Sequence, residues 1–158
     1  MIESHVPEDW RPAGELEDGL TPGVIDGHAE RVFTQGGCGA LAIALHDGMG
    51  WPIVAITDAH NVHDGRAGGG SALHWGVQHP SLLFIDVDGM HDMDEITRSY
   101  DGDADEGKAA WGLSTRADAE EWWNEAGRKV SLATAALFVE PVVDRFHEQA
   151  AKPKEEES

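Results

Sequence analysis

Basic residues are scarce in this chain, cysteine is nearly absent, and no apolar run is long. Eleven Lys and Arg face 30 Asp and Glu, a formal net charge of −19 over 158 residues. Nucleic-acid binding depends on Lys and Arg neutralising phosphates, so that class of partner is excluded. Anionic membrane surfaces are disfavoured for the same reason. Such a surface keeps a protein dissolved and attracts cationic partners or peptides. The single cysteine, Cys38, leaves no internal disulfide, which fits a reducing compartment. The longest nearly apolar run, Ala40 to Leu45, is far too short to cross a bilayer. Met1-Ile2-Glu3-Ser4-His5 has neither a basic start nor an apolar stretch to follow, so no signal peptide is expected and the expected location is cytoplasmic.

What is present suffices for one globular domain. Hydrophobic residues make up 41%, too many for a disordered chain, and the length allows one real core. Residues 1–23 contain three Pro and several acids without a hydrophobic period, and read as an irregular arm. Residues 24–151 read as a single α+β domain, and 152–158 as a charged, disordered tail. Within the domain a short helix is expected from Val24 to Phe33, broken by Gln35-Gly36-Gly37. Cys38 to His46 is apolar almost all round, as a helix at the centre of a core is, with Gly48 and Gly50 to end it. Pro52 to Thr57 is apolar on both faces and reads as a buried strand. A polar loop follows from Asp58 to Ala72, then strands at His74–Gln78 and Leu82–Asp88. Asp92 to Glu95 looks like a helix start, and Asp101 to Gly107 like an acidic loop. The C-terminal third reads as helical: Thr115 and Asp118 form a capping box, Gly127 a stop, and a helix over 131–151 should kink at Pro141.

Cys38 is the best candidate for a chemical centre. At a helix N-terminus unpaired N–H groups favour thiolate and can hold an oxyanion, and Gly37 and Gly39 leave room for a substrate backbone. A thiolate also needs a base and a group to orient it. His74 opens one strand, and Asp86 and Asp88 close the next. Whether they meet depends on the turn. A His79-Pro80-Ser81 loop puts His74 opposite Asp86; a Pro80-Ser81-Leu82 loop puts it opposite Asp88; a two-residue loop turns both acids away.

The order is a cysteine opening a buried helix, a histidine starting a strand, and an acid ending the next. It resembles the papain-like thiol hydrolase superfamily. The run Cys38-Gly39-Ala40-Leu41-Ala42-Ile43-Ala44-Leu45 is similar to the nucleophile helix of bacteriocin-processing, double-glycine peptidases. The stretch from His74 to Asp86-Val87-Asp88-Gly89 is similar to the His and Asp strands of transglutaminase-like and arylamine acetyltransferase-like members. The resemblance covers about residues 34 to 90. It implies a papain-like core with the nucleophile helix packed on a small antiparallel sheet, to which C-terminal helices are added. It implies Cys38 as nucleophile, His74 as base and Asp86 as the orienting acid, in a hydrolase or acyltransferase acting on an amide or ester without a cofactor. Gln35, Gly37, Gly39, Trp75 and Asp88 are the oxyanion or substrate-binding candidates. Papain's glutamine stands six residues before its nucleophile, whereas Gln35 stands three before Cys38. The rival expectations are an inactive binding or regulatory domain of the same fold, and a metal-binding protein built on His60, His63, Asp58 and Asp64. Gly68-Gly69-Gly70 lacks the ending of a nucleotide loop and reads as a surface loop or flexible lid.

Overall fold

The structure, a computed structural model, describes residue 17, residues 19–67 and residues 72–151. Most of the expected arm, the Gly68-Gly69-Gly70 stretch and the tail lie outside the described residues. The end of the arm is not loose. Glu17 and Leu20 are buried, and the Glu17 carboxylate accepts hydrogen bonds from the Ser131 N–H (2.6 Å) and the Thr134 hydroxyl (2.7 Å). A carboxylate at 0% exposure is tolerable because these donors replace its water.

Helix α1 spans Gly27–Gln35 and begins where Asp26 caps it by accepting the Ala29 N–H at 2.9 Å, three residues later than the sequence pattern suggests. Helix α2, Cys38–Met49, is buried from Cys38 through Leu45 and ends at Gly50, whose φ of 77° suits only glycine without strain. Strand β1, Ile53–Asp58, is buried at every position. The expected polar loop then contains a 3-10 turn and two short strands, β2 (Val62–His63) and β3 (Arg66–Ala67). Their hairpin turns at Asp64 and Gly65, both at positive φ. Strand β4 is His74–Gln78, β5 is Phe84–Asp86 and β6 is Gly89–His91. Helix α3, Met93–Arg98, is capped by Asp92, and strand β7, Ala109–Ser114, follows.

The sheet is mixed and larger than expected: seven strands in the order β2-β3-β7-β1-β4-β5-β6, antiparallel except for β3 with β7. Strand β7 has no clear apolar alternation, yet it pairs with all six residues of β1. β4 flanks β1 on its other side, so both its edges are paired, and it is apolar on both faces because each face packs into its own apolar cluster.

Helix α4 (Arg116–Glu125) carries the expected cap, Thr115 Oγ1 accepting the Asp118 N–H. The long C-terminal helix is in fact two, α5 (Leu132–Ala136) and α6 (Val139–Ala151). Pro141 does not kink it. The proline sits in the first turn of α6, where its missing N–H costs no helical bond, and the break falls just before it. One sheet face, with Ala55, Trp75, Val77 and Ile85, packs on α2 and the C-terminal helices. The other, with Val54, Ile56, Phe84 and Ala109, packs on Met93 and Ala104.

Gly76 holds the β4–β5 hairpin tight. A Cβ there would run into the Phe84 ring and stand 2.8 Å from the Ile85 carbonyl oxygen, so backbone would have to move. Gly76→Ala is expected to destabilise the protein by about 1–3 kcal/mol, as overpacking does, read as a lowered urea midpoint at unchanged slope. A midpoint equal to wild type would mean the hairpin has slack.

Candidate active site

Cys38 is the first residue of α2. The N-cap residue, Gly37, makes no side-chain cap, so the first-turn N–H groups have no side chain to satisfy them. Gly36 and Gly37 both donate to the Val32 carbonyl, at 3.2 and 2.8 Å. The Gly37 N–H is therefore engaged, and the Cys38 and Gly39 N–H groups are the better donors for a bound oxyanion.

The glycines do not open the site to substrate as their small size suggests. A Cβ on Gly39 would lie 2.8 Å from ring carbons of Trp122, and one on Gly37 would lie 3.0 Å from both Val130 Cγ2 and the Val32 carbonyl oxygen. They let α4 and the Val130 segment press against α2. Trp122 and Trp123 are both partly buried. Trp122 packs on Trp75, and the Trp123 indole N–H donates to the Val130 carbonyl. Trp75 is itself buried, and its indole nitrogen has no hydrogen-bond partner. Gln35 closes α1, and its side chain lies outside what is described.

His74 opens β4 at 0% exposure, and its Nε2–H donates to Asp86 Oδ2 at 2.8 Å. The register differs from the one that puts these two directly opposite. His79 pairs with Leu83 across a Pro80-Ser81-Leu82 turn, in which Leu82 takes a φ of 75°. Gln78 therefore faces Phe84 and Val77 faces Ile85. Continued along the ladder, this register puts Gly76 across from Asp86 and His74 across from Asp88. The histidine nonetheless bonds Asp86, on the diagonal. Two facts account for this. Gly76 has no side chain between them, and Asp88 belongs to the two-residue Val87-Asp88 turn into β6, so it has already left the strand.

The Asp86 carboxylate accepts three hydrogen bonds: His74 on Oδ2, and on Oδ1 the His91 ring at 2.8 Å and the Asp88 N–H at 2.9 Å. Burial alone would raise its pKa; the hydrogen bonds and charges of the two histidines more than reverse this and hold it well below the usual carboxylate range. An ionised Asp86 only accepts, so both imidazoles carry their proton on Nε2. His74 Nδ1 is left buried, with no aligned hydrogen bond. The Cys38 side chain still lies close enough to act on the ring. Burial pushes the His74 pKa down, but Asp86 and Cys38, by hydrogen bonding and by charge, raise it to about 10. A resting thiol–imidazole contact that is near but not aligned is common where a substrate completes the geometry.

Tyr100 and His91 are site residues that sequence reasoning missed. The Tyr100 ring stacks on His74, centroids 5.2 Å apart and 16° from parallel. Burial first, then the charges of Cys38, Asp86, Asp103 and Asp88, push its phenol above its ordinary value. Tyr100 follows α3, so nothing local marks it as a neighbour of His74. His91 had one faint signal: a two-residue turn at Val87-Asp88 would pair it with Phe84, on the sheet face that carries Asp86. Asp88 is half-buried, and burial followed by the charges of Asp86 and Glu30 raises its pKa.

The rival metal set of His60, His63, Asp58 and Asp64 does not assemble among the described residues. His60 and His63 are exposed, and Asp58 instead accepts the Asp105 N–H at 2.8 Å. Among the described residues, the His, Cys and carboxylate group that could hold an ion is Asp86, Asp88 and His91. No described helix is long and apolar enough to cross a membrane. Comparison of the chain with protein-family models, with curated proteins and with solved structures finds no match.

Proposed function

We propose that this chain is a thiol-dependent acyl-transfer enzyme of papain-like kind, with Cys38 as nucleophile, His74 as general base and acid, and Asp86 as the orienting carboxylate. The observation that carries this reading is the His74 ring itself. One nitrogen is fixed by Asp86 at 2.8 Å, and the other is buried, unbonded and beside the only cysteine. Transfer of the Cys38 S–H proton to His74 Nδ1 gives a thiolate–imidazolium pair, which the raised His74 pKa favours, and the thiolate sulfur bonds to the carbonyl carbon of an amide or ester. The oxyanion falls to the first-turn N–H groups of α2. Collapse of the tetrahedral adduct breaks the C–N or C–O bond, the leaving group takes the His74 proton, and a thioester remains. Water or an amine, deprotonated by His74, then attacks the thioester and regenerates the thiol. Hydrolysis, deamidation and transfer share these steps. The net charge of −19 supports a cationic substrate over an anionic one.

A non-catalytic binding or regulatory domain is the second reading, and one observation favours it. Cys38, His74 and Asp86 are 4%, 0% and 3% exposed, beneath Tyr100 and Trp122. Iodoacetamide labelling separates the two readings. The catalytic reading expects the folded protein to be alkylated at Cys38 near neutral pH, with His74→Ala lowering the rate by about 100-fold, the lower end for general-base loss. It also expects Cys38→Ala to abolish a thioester burst with an activated ester. Labelling that waits for unfolding sinks the nucleophile and leaves the binding domain.

A further inference from the structure

Cys38 and His74 are closed off from water, yet a thiol that attacks a substrate has to be reached. Most of the walls around them cannot give way. The Trp122 ring lies against the Gly39 backbone, where a Cβ would stand 2.8 Å from two of its carbons, and it packs on Trp75. Phe84 fills the space beside Gly76, its ring tilted 46° to the imidazole. Asp86 is tied by three hydrogen bonds. Moving any of these disturbs close-packed neighbours or leaves buried polar groups without partners.

Tyr100 is different. Its ring lies face to face on His74, centroids 5.2 Å apart and 16° from parallel, and otherwise packs on the apolar cluster that includes Met93. Among the described residues no group hydrogen-bonds its hydroxyl, and the side chain is only half-buried, so it borders solvent. Its backbone, by contrast, is anchored. The Tyr100 N–H donates to the Thr97 carbonyl at 3.0 Å, and its carbonyl accepts the Asp103 N–H at 2.9 Å. The ring can therefore turn while the chain that carries it stays in place. After burial, the charge of Cys38 acts on the phenol most, ahead of Asp86, Asp103 and Asp88, so the ring stands near the sulfur as well as the imidazole.

We propose that Tyr100 is the gating residue of this site: its ring closes His74 and Cys38 at rest, and a substrate reaches the thiol by displacing that ring. This role rests on the thiol–imidazole reading above and adds the step that a buried Cys38 demands. A ring stack is a weak contact, so the open form is a minor state of the folded protein, on the order of 0.1–10% of the population. A reagent's access to the thiol is reduced by that fraction, and removing the ring removes the reduction.

The test compares wild type with Tyr100→Phe and Tyr100→Ala. Cys38 alkylation by iodoacetamide is followed at neutral pH from zero urea up to the foot of the unfolding transition. Beside it, exchange of the His74 Nε2 proton with water is read from its 15N-coupled resonance. Tyr100→Phe keeps the flat face and loses only an unbonded hydroxyl, so it should match wild type. Tyr100→Ala should be alkylated about tenfold faster or more, and its His74 proton should exchange faster. The acceleration should be nearly independent of urea, because local opening exposes little surface, whereas labelling through unfolding climbs with urea. If Tyr100→Ala has lost its cooperative transition, Tyr100→Leu takes its place: it keeps apolar bulk and has no flat face. Wild type and the truncated variant labelling at one rate, with exchange unchanged, overturns the gate and leaves the nucleophile intact. So does an acceleration that appears only with urea, or a Tyr100→Phe protein as fast as Tyr100→Ala. Faster His74 exchange in a variant whose Cys38 is still not alkylated keeps the gate and loses the nucleophile.

Discussion

Asp86→Asn is expected to slow Cys38 alkylation at neutral pH by about 100-fold or more and to destabilise the fold by about 3–5 kcal/mol. Asp88→Asn should change either by no more than a few-fold or about 1 kcal/mol. The difference lies in what each carboxylate holds. Asp86 is 3% exposed and takes both imidazole donors, whereas Asp88 is half-buried and sits in a turn. Asparagine puts an NH2 group where one carboxylate oxygen stands, so it cannot accept from His74 at one atom and His91 at the other as Asp86 does. At least one ring would face another donor, and neither would face a charge. Guanidinium melts and iodoacetamide kinetics on the two variants decide it. Equal losses, or a larger loss from Asp88, would mean that the diagonal bond does not orient His74.

The second large effect is a stability that declines on the alkaline side. The pKa of His74 is raised from 6.5 to about 10 in the folded state, because Asp86 and Cys38 outweigh the cost of burial. A raised group contributes stability that is complete below its unfolded pKa and lost as pH climbs through its folded one. That loss should run from about pH 6.5 to about 10. His91, also raised, adds a loss of the same sign. Asp86 is depressed below its ordinary 3.8, so its contribution holds above that value and fails as pH falls beneath it. Wild type should therefore be most stable between about pH 4 and 6.5 and lose about 3–5 kcal/mol toward pH 10, the range for breaking a buried pair. His74→Gln should lose much less over the same interval. Melting temperature against pH checks it; equal slopes for the two proteins would show that His74 is not held as a buried cation.

The local signals that proved readable were those that short-range physics sets. A run apolar all round became the buried helix α2, with Cys38 at its first position. A run apolar on both faces became β1 between two neighbours. Asp92 and Thr115 capped the helices that they precede. What stayed hidden lacked such a signal. β7, Ala-Ala-Trp-Gly-Leu-Ser, has neither β-branched residues nor alternation; its strand conformation comes from six pairings to β1, some fifty residues away. β6 is only three residues long, and it is what delivers His91 to Asp86.

The site divides in the same way. Alternation with period two puts His74 and Asp86 on one sheet face in either three-residue-loop register, because those registers differ by two positions and leave every side chain on its own face. The sequence allowed that much, but a two-residue loop would have turned both acids away, and the fold decided for three. Which acid stands opposite the histidine was decided by the turn, where Leu82 takes a left-handed φ and His79 pairs with Leu83. Which acid bonds it was decided by the space that Gly76 leaves and by the turn that carries Asp88 out of the strand. Tyr100 over one face of His74, Trp122 over Gly39 and His91 on the far oxygen of Asp86 all arrive from elements distant in the chain. Hydrophobic period and capping act over a few residues, and so they can be read in order along the sequence. Contacts across tens of residues depend on how the layers close, and only the tertiary structure contains them.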